Sequence, residues 1–529
     1  MAARKPVVPS PILGLSAVEL RDRLARGALR AVDLAQACLD QIAEQEPRVQ
    51  AWAWLDGEHV INQAKALDAH RATGRAIGPL HGLPVGLKDV IDTVRIPTSN
   101  GTVLDAGRVP TADAFVVQRL KSAGAIIMGK TVSTELAFLS PGKTRNPHNP
   151  EHTPGGSSSG SAAAVAAGMV PLAIGTQTGG SVIRPAAYCG VVGFKPSYGS
   201  IPRTGILAQS PSLDTVGVFA RGIEDAALLA EILFGHDPAD RATDAMPPPR
   251  LLDTARAAPP VTPMLAFVRP PEWDTATEQT RLAMQELTGE LGDQCFEALL
   301  PNAFGEAAAI RERINHAEMA KCYFAYERRG RELLSEIMRG ALDTGKAVPA
   351  RDYIAALDWP DILNAGLAEI FDRCDAIITP ATPSAAPQGL SGTAVPSSTG
   401  CGRCAERLPS PCRCWWMTPE CRWVYSWWDG AATMRGCCAP RAGFLNVSQA
   451  LEKDREQDHE GPDHGAVGGG GADRLSWHSY LEGSPPRSGR RHRDHACAGL
   501  LGFHHVGRPQ DALASGRVPL PHRPPSRRR

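Results

Sequence analysis

The chain has 529 residues, of which 43% are hydrophobic and 21% are charged, so it can bury a sizeable core and is not disordered as a whole. Its 56 basic residues balance 56 acidic ones, which disfavours partners held by net charge, such as nucleic acid or an anionic membrane surface. The longest run of small apolar residues, 162–175, is too short to span a bilayer and contains Pro171. Because the amino terminus also lacks a secretory apolar core, we expect a cytoplasmic protein without nucleic-acid or membrane partners.

The first part of the chain, residues 1–392, alternates amphipathic helices with short apolar strands. Ser16 can cap a helix that begins at Ala17, and Leu34, Cys38 and Ile42 recur at helical spacing on a second helix. Further helices are predicted around Glu286, over Arg311–Arg339 and over Tyr353–Arg373. Apolar, β-branched runs bounded by Gly or Pro predict buried strands of an α/β sheet within residues 81–91, 123–131, 190–196 and 375–383. A Pro-rich passage between Phe234 and Pro271 predicts a surface excursion or a boundary between subregions.

The residues that carry chemistry are concentrated between Lys88 and Ser181. The segment TPGGSSSGSAAAVAAG, residues 153–168, contains four serines and four glycines and leads into an Ala-rich helix, and a second Gly-Gly-Ser ends at Ser181. A flexible linker is the alternative for the first segment, although a linker would not lead into an apolar helix. A phosphate-binding loop would need a Gly-x4-Gly-Lys-Ser/Thr spacing, which neither segment has, so we do not expect a nucleotide.

Three motifs in this region resemble those of the amidase signature family: GLKDVIDT around Lys88, GGSSSG around Ser157 and TQTGGSVIRP around Ser181. The resemblance extends from about residue 15 to about residue 392. It implies an α/β amidase-signature fold over residues 1–392, with a mixed central β-sheet covered by helices on both faces. It also implies hydrolysis of a small carboxamide through an acyl-enzyme, without a metal or another cofactor.

Carried over residue by residue, the resemblance makes Ser181 the nucleophile, Lys88 the base, and Ser157 the serine that relays a proton between them, with a cis peptide bond before it. It assigns the oxyanion hole to the backbone amides of Thr178, Gly179, Gly180 and Ser181. A lysine acts as a base only when it is neutral, and the apolar surroundings of Lys88 predict burial, which lowers its pKa. The alternative is a buried structural lysine paired with Asp89.

Two other sites are weaker alternatives. His81, His148 and His152 could belong to a Ser/His/Asp triad, but the chain has no Gly-x-Ser-x-Gly elbow. The cysteines at 401, 404, 412 and 414 could bind zinc, but the spacing of the second pair is poor for a zinc knuckle.

The substrate is inferred from the residues that follow Ser181. The sequence GGSVIRPA resembles stand-alone amidases, in particular malonamidase, more than the amidotransferase subunits of tRNA-dependent amidation, which usually read GGSIRQPA. The resemblance implies that Arg184 binds a substrate carboxylate; the alternative is a buried arginine tied to backbone carbonyls. We therefore expect short amides that can carry a carboxylate, and we leave a homodimer and a role as one subunit of an amidotransferase open.

The last part of the chain, residues 393–529, is called the tail here and has a different composition. It holds eight of the 13 cysteines and six of the 10 tryptophans, and from Val395 onward it has 18 Arg but a single Lys, Lys453. It shows no sustained helix or strand period. Read in the neighbouring frame, Val395–Leu445 can encode the apolar segment and PVGVQLVG strand that amidase-family chains usually carry at this point. We therefore predict a frameshift near Gly392–Val395 and an irregular, poorly ordered tail, which leaves an inactive relic as an alternative function.

Overall fold

The computed structural model describes residues 11–393 together with residues 423–428 and 431–435. All of these residues belong to one compact unit, Met1–Glu460. The remainder of the tail lies outside the described residues, and so do the four cysteines of the zinc alternative. The predicted boundary at residue 392 and the predicted frameshift therefore stay predictions.

The described residues form 13 α-helices. They are α1 (Ala17–Arg26), α2 (Ala31–Val49), α3 (Gly57–Ala72), α4 (Phe115–Ser122), α5 (Ser159–Ala166), α6 (Ile183–Cys189), α7 (Ile223–Leu233), α8 (Leu251–Arg256), α9 (Glu278–Leu291), α10 (Ala307–Cys322), α11 (Phe324–Gly330), α12 (Glu336–Ala347) and α13 (Ala350–Phe371). No helix in this part of the chain combines the length and apolar character needed to cross a membrane.

Eleven β-strands are described. They are β1 (Trp52–Leu55), β2 (Pro84–Lys88), β3 (Ile126–Thr131), β4 (Leu172–Gln177), β5 (Val192–Phe194), β6 (Thr215–Ala220), β7 (Leu265–Val268), β8 (Cys295–Ala298), β9 (Ala376–Ile378), β10 (Trp423–Trp428) and β11 (Ala431–Arg435).

The strands form two sheets. The first has the order β1-β3-β2-β4-β6-β5 and is mixed, because β2 is parallel to both β3 and β4 whereas the other pairs are antiparallel. The second has the order β11-β10-β9-β7-β8. In it the tail contributes the antiparallel pair β10–β11, and β10 runs parallel to β9, although the sequence of the tail shows no strand period.

The amino-terminal helices follow from local signals in the sequence. Ser16 caps α1 by accepting a hydrogen bond from the Glu19 amide at 3.1 Å, and Gly27 ends the helix in the left-handed conformation that glycine adopts at little cost. In α2, Leu34, Cys38 and Ile42 are all buried, as their spacing predicts. Every residue of β2, β3 and β6 is buried as well, so both faces of the first sheet are covered at these strands.

The structure adds detail to two predictions about residues 234–392. The helical segments predicted over Arg311–Arg339 are three helices, since α10 ends at Cys322 and α12 starts only after Ser335, which caps it through the Met338 amide at 3.1 Å. The Pro-rich passage between Phe234 and Pro271, predicted as a surface excursion or a boundary between subregions, follows the last strand of the first sheet and contains β7, the buried first strand of the second sheet, which fits the boundary. The sequence patterns predicted neither the cap at Ser335 nor strand β7, because a cap inside a helical pattern and a strand of four residues each involve too few residues to stand out.

Candidate active site

Lys88 is the last residue of β2, and its side chain is fully buried. Its Nζ donates hydrogen bonds to Ser157 Oγ at 2.6 Å and to Thr176 Oγ1, on the neighbouring strand β4, at 2.8 Å. The pairing with Asp89 that served as the structural alternative is not present: the Asp89 carboxylate accepts from the amide and hydroxyl of Ser99. Lys88 therefore faces hydroxyl groups and forms no described ion pair.

This environment sets the charge of Lys88. Burial lowers the pKa of the ammonium from 10.5 to about 7, and the negative charge of Asp214 opposes part of that change. A substantial fraction of Lys88 is thus neutral near pH 7. A neutral amine at hydrogen-bonding distance from a serine hydroxyl can accept its proton.

Ser157 lies in the loop that leads into α5, and the Gly156–Ser157 peptide bond is cis. Two of the serines that follow hydrogen-bond this loop and the start of α5 to β4. Ser158 Oγ donates to the Thr176 carbonyl at 3.1 Å, and Ser161 Oγ donates to the Ile174 carbonyl at 3.0 Å. Gly160 permits the close approach of α5 to the backbone beside β1 and β3, since a Cβ there would lie 2.3 Å from the Ala51 oxygen and the Val132 nitrogen. The Gly/Ser segment is a packed loop and not a flexible linker.

Ser181 lies between β4 and α6, and its side chain is nearly buried. The loop is closed by Gln177, whose Oε1 accepts from the amides of Val182 at 2.7 Å and Ile183 at 3.0 Å. Sequence reasoning missed Gln177, because glutamine is an uncommon helix cap. Among the described residues, no hydrogen bond joins Ser181 to Ser157. The structure therefore brings Lys88 and Ser157 together directly, whereas the step from Ser157 to Ser181 stays a prediction.

The residues predicted to form the oxyanion hole make up the turn between β4 and α6, called the oxyanion turn here. They are Thr178, Gly179, Gly180 and Ser181. The Thr178 hydroxyl donates to Asp214 Oδ1 at 2.5 Å, and the Gly180 carbonyl accepts the Arg184 amide at 2.9 Å. Because Gln177 engages the amides of the two residues that follow Ser181, the turn is held at both ends. The binding of an oxyanion by its amides stays a prediction.

Arg184 lies on α6 and is 3% exposed. Its Nη2 donates to the Gly156 carbonyl at 2.8 Å, whereas Nε and Nη1 have no hydrogen-bond partner among the described residues. Burial lowers the pKa of the guanidinium to about 10, so it remains charged at neutral pH. The bond to Gly156 fits the structural role, and the two unpartnered nitrogen atoms fit the predicted role in binding a carboxylate.

The histidines of the alternative triad form no hydrogen bond with Ser157 or Ser181 among the described residues. His148 Nε2 and His152 Nδ1 bond the carbonyls of Cys189 at 2.9 Å and Ala386 at 2.6 Å, and His81 is buried. Within the described part of the chain, no three His, Cys, Asp or Glu side chains group as metal ligands would.

Comparisons with known proteins identify the family of the chain. The model of the Amidase family matches residues 33–399. The A-type subunit of glutamyl-tRNA(Gln) amidotransferase from Thermobifida fusca is 46% identical over 253 residues, 47% of this chain and 51% of that protein, so the chain spans about half the length of the curated relatives it matches. The corresponding protein of Acidothermus cellulolyticus is 44% identical over 47% of this chain and 50% of its own length.

A solved structure, the native peptide amidase of Stenotrophomonas maltophilia, superposes with a TM-score of 0.69 at 28% identity and covers 84% of this chain and 98% of that one. The family match covers more than half of the chain, and the structural likeness extends over nearly the whole of the peptide amidase. The chain therefore belongs to the amidase family.

Proposed function

We propose that this protein hydrolyses a linear carboxamide to a carboxylate and ammonia or an amine, with Lys88, Ser157 and Ser181 as the reacting side chains. The observation that carries the proposal is the short contact of a buried, partly neutral Lys88 with the Ser157 hydroxyl. Family membership supplies the reaction class, cleavage of a C–N bond. A cytoplasmic location and a small-molecule substrate are part of the same proposal.

The proposed reaction moves one proton along the three side chains. Ser181 Oγ attacks the amide carbon while its proton passes to Ser157, and the Ser157 proton passes to Lys88 Nζ. The amides of Thr178–Ser181 stabilise the negative oxygen of the tetrahedral intermediate. The Lys88 ammonium then returns the proton through Ser157 to the leaving nitrogen, which departs and leaves an acyl group on Ser181. Water then attacks the acyl group, with Ser157 and Lys88 again accepting its proton and returning it to Ser181, and the carboxylate is released.

The test measures ammonia release from propionamide and trapping of the acyl group by hydroxylamine as a hydroxamate. Ser181→Ala should abolish both products, and Ser157→Ala should lower both strongly. Because the side chains act as one unit, the losses in double variants should not add. Ser122→Ala, at an exposed serine at the end of α4, is the control and should keep turnover. Full turnover by Ser181→Ala would contradict the proposal.

A second candidate is an A-type subunit of a tRNA-dependent amidotransferase, favoured by the curated relatives that are 44–46% identical. In that case partner subunits should co-purify with the protein, and amide turnover should depend on them. Turnover of propionamide by the isolated chain, with no co-purifying partner, would favour the stand-alone amidase. Loss of turnover in every preparation would instead favour the inactive relic.

A further inference from the structure

Asp214 is a carboxylate beside the candidate site that the proposed reaction does not use. Its Oδ1 accepts the Thr178 hydroxyl at 2.5 Å, and its Oδ2 accepts the amides of Gln209 and Ser210, both at 2.9 Å. Three donors thus fix the carboxylate in one orientation. Through Thr178, Asp214 holds the first residue of the turn that ends at Ser181.

Asp214 also faces the lysine end of the site. A cavity of about 280 Å³ is lined by Asp214, Thr178 and Thr176, and Thr176 is the second hydroxyl partner of Lys88. The Asp214 charge acts on Lys88 across this region, where it raises the pKa of the ammonium. The carboxylate therefore borders a cavity that it shares with Thr176, a partner of the base, and with Thr178 of the proposed oxyanion turn.

The other charged groups around Asp214 have ion-pair or hydrogen-bond partners of their own. Arg203 lines the same cavity, but its guanidinium is paired with Asp240 at 2.7 Å. From α10, Glu318 accepts hydrogen bonds from the loop that carries Asp214, through Ser210 Oγ at 2.6 Å and the Ser212 amide at 3.0 Å.

Two further titratable groups interact with Asp214 electrostatically, Cys322 and Tyr323 at the carboxyl end of α10. Burial raises the pKa of Cys322 to about 11 and that of Tyr323 well above its usual value, so both are neutral near pH 7. Burial also raises the pKa of Asp214 to about 6, which leaves it mostly ionised at neutral pH. Lys88 and Asp214 are therefore the facing pair whose charges change near neutrality.

We propose that Asp214 is a positioning residue of this site, which holds the Thr178 end of the oxyanion turn and stabilises the Lys88 ammonium formed during the reaction. The inference rests on the proposed function, because the ammonium arises only when Ser157 gives its proton to Lys88. A negative charge fixed in a low-dielectric site stabilises a cation formed beside it more than the same charge in water would.

Asp214→Asn tests the proposal because it removes the charge and can keep the hydrogen bonds. The asparagine Oδ1 can accept both backbone amides, while Nδ2 donates to Thr178 Oγ, which can act as acceptor. The measurement is kcat/KM for propionamide from pH 5 to 9. We expect the acid limb, on which activity rises as Lys88 loses its proton, to move down by about one pH unit, and the plateau to fall about tenfold.

Two further variants separate charge from structure. Thr178→Val removes the contact but keeps the charge, so the plateau should fall while the acid limb stays in place, and Thr178→Ser should restore the plateau. Glu318→Gln is the matched control: Glu318 is a second buried carboxylate, on α10, that contacts the loop carrying Asp214 but does not act on Lys88, so the variant should leave the acid limb unchanged.

If the acid limb of folded Asp214→Asn does not move, the inference is wrong. The proposed function still stands in that case, provided that Ser181→Ala loses turnover. If Asp214→Asn does not fold, as judged by circular dichroism, an unchanged plateau in Thr178→Val overturns the inference instead. Turnover that persists in Ser181→Ala would remove the proposed function itself.

Discussion

At the scale of single residues, the central feature is a buried lysine, Lys88, that forms no described ion pair. Burial of an unpaired ammonium is unfavourable, and Lys88 meets only the hydroxyls of Ser157 and Thr176 among the described contacts. Natural active sites commonly tolerate such a loss of stability because the reaction needs the perturbed group. The motif around Lys88 was sufficient to predict burial and a lowered pKa. Thr176 and Asp214 could not be predicted, because their contacts join residues 88 or 36 positions apart and leave no local pattern.

Lys88→Met should abolish amide turnover and raise the melting temperature at pH 7. The folded-state pKa of Lys88 is about 7, below its ordinary 10.5, so between these values the unfolded chain binds more protons and stability rises with pH. Methionine removes this cost, so its stabilising effect should be largest at pH 7 and below and should shrink toward pH 10.5. Differential scanning calorimetry at several pH values measures it. A lower melting temperature at pH 7 would show that Lys88 contributes packing that outweighs its desolvation.

Arg184→Lys should distinguish a substrate-binding arginine from a structural one. If the guanidinium, which keeps two unpartnered nitrogen atoms, binds a substrate carboxylate, KM for malonamate should rise about tenfold or more while KM for propionamide changes little, because lysine lacks the planar set of N–H donors. If the bond to the Gly156 carbonyl is its main role, kcat should fall equally for both amides. Steady-state kinetics with the two substrates decides between these outcomes, and Arg313→Lys, at an exposed arginine, is the control.

At the scale of elements, the site depends on how closely α5 packs against the first sheet. The buried strands and the amino-terminal helices were predictable, since burial on both faces produces continuous apolar runs and caps leave clear local signals. The closeness of α5 to its neighbours was not predictable from its small residues. Gly160, Ser158 and Ser161 form that contact, and their composition alone also fits a linker.

Gly160→Ala should lower the free energy of unfolding by about 1 to 3 kcal/mol and reduce turnover. The added methyl would meet backbone atoms of Ala51 and Val132, which cannot turn aside as a side chain could, so α5 and the Ser157 loop must shift. Urea denaturation and ammonia release measure the two effects. The control is Gly289→Ala on α9, where a Cβ meets no atom within 4 Å, and it should be neutral or slightly stabilising. Equal behaviour of the two variants would show that α5 is less tightly packed than described.

At the scale of the whole molecule, the tail differs from the rest of the chain in composition and in its match to the family. The family match ends at residue 399, close to the position where the composition changes. This supports the proposal that residues after about 393 are read out of frame, although the described strands β10 and β11 do extend the second sheet. The sequence predicted the site-bearing part of the fold from its motifs, but strand pairing in the tail could not be predicted, because β10 pairs with β9 across more than forty residues.

Expression of a chain whose frame is shifted after residue 392 should give a protein that is more stable and more active than the present one. In the shifted frame the tail would carry the apolar segment and strand that the family usually has, whereas an out-of-frame text has no reason to agree with the fold. Limited proteolysis of both chains and their rates of ammonia release are the measurements, and sequencing of the coding DNA around residue 393 is the independent check. A present tail that resists proteolysis as one unit would contradict the frameshift.

The two sheets are consecutive in the chain, and this order has a consequence for synthesis. All six strands of the first sheet, with Lys88, Ser157, Ser181 and Asp214, lie before residue 221, whereas the second sheet begins only at Leu265. Since domains fold from the amino terminus as the ribosome releases them, the first sheet can assemble while the rest of the chain is still being translated. A nascent chain stalled after α9, with all of the first sheet released from the ribosome, should therefore already contain the Lys88–Ser157 contact, before the ribosome has reached the codons at which the proposed shift of frame occurs.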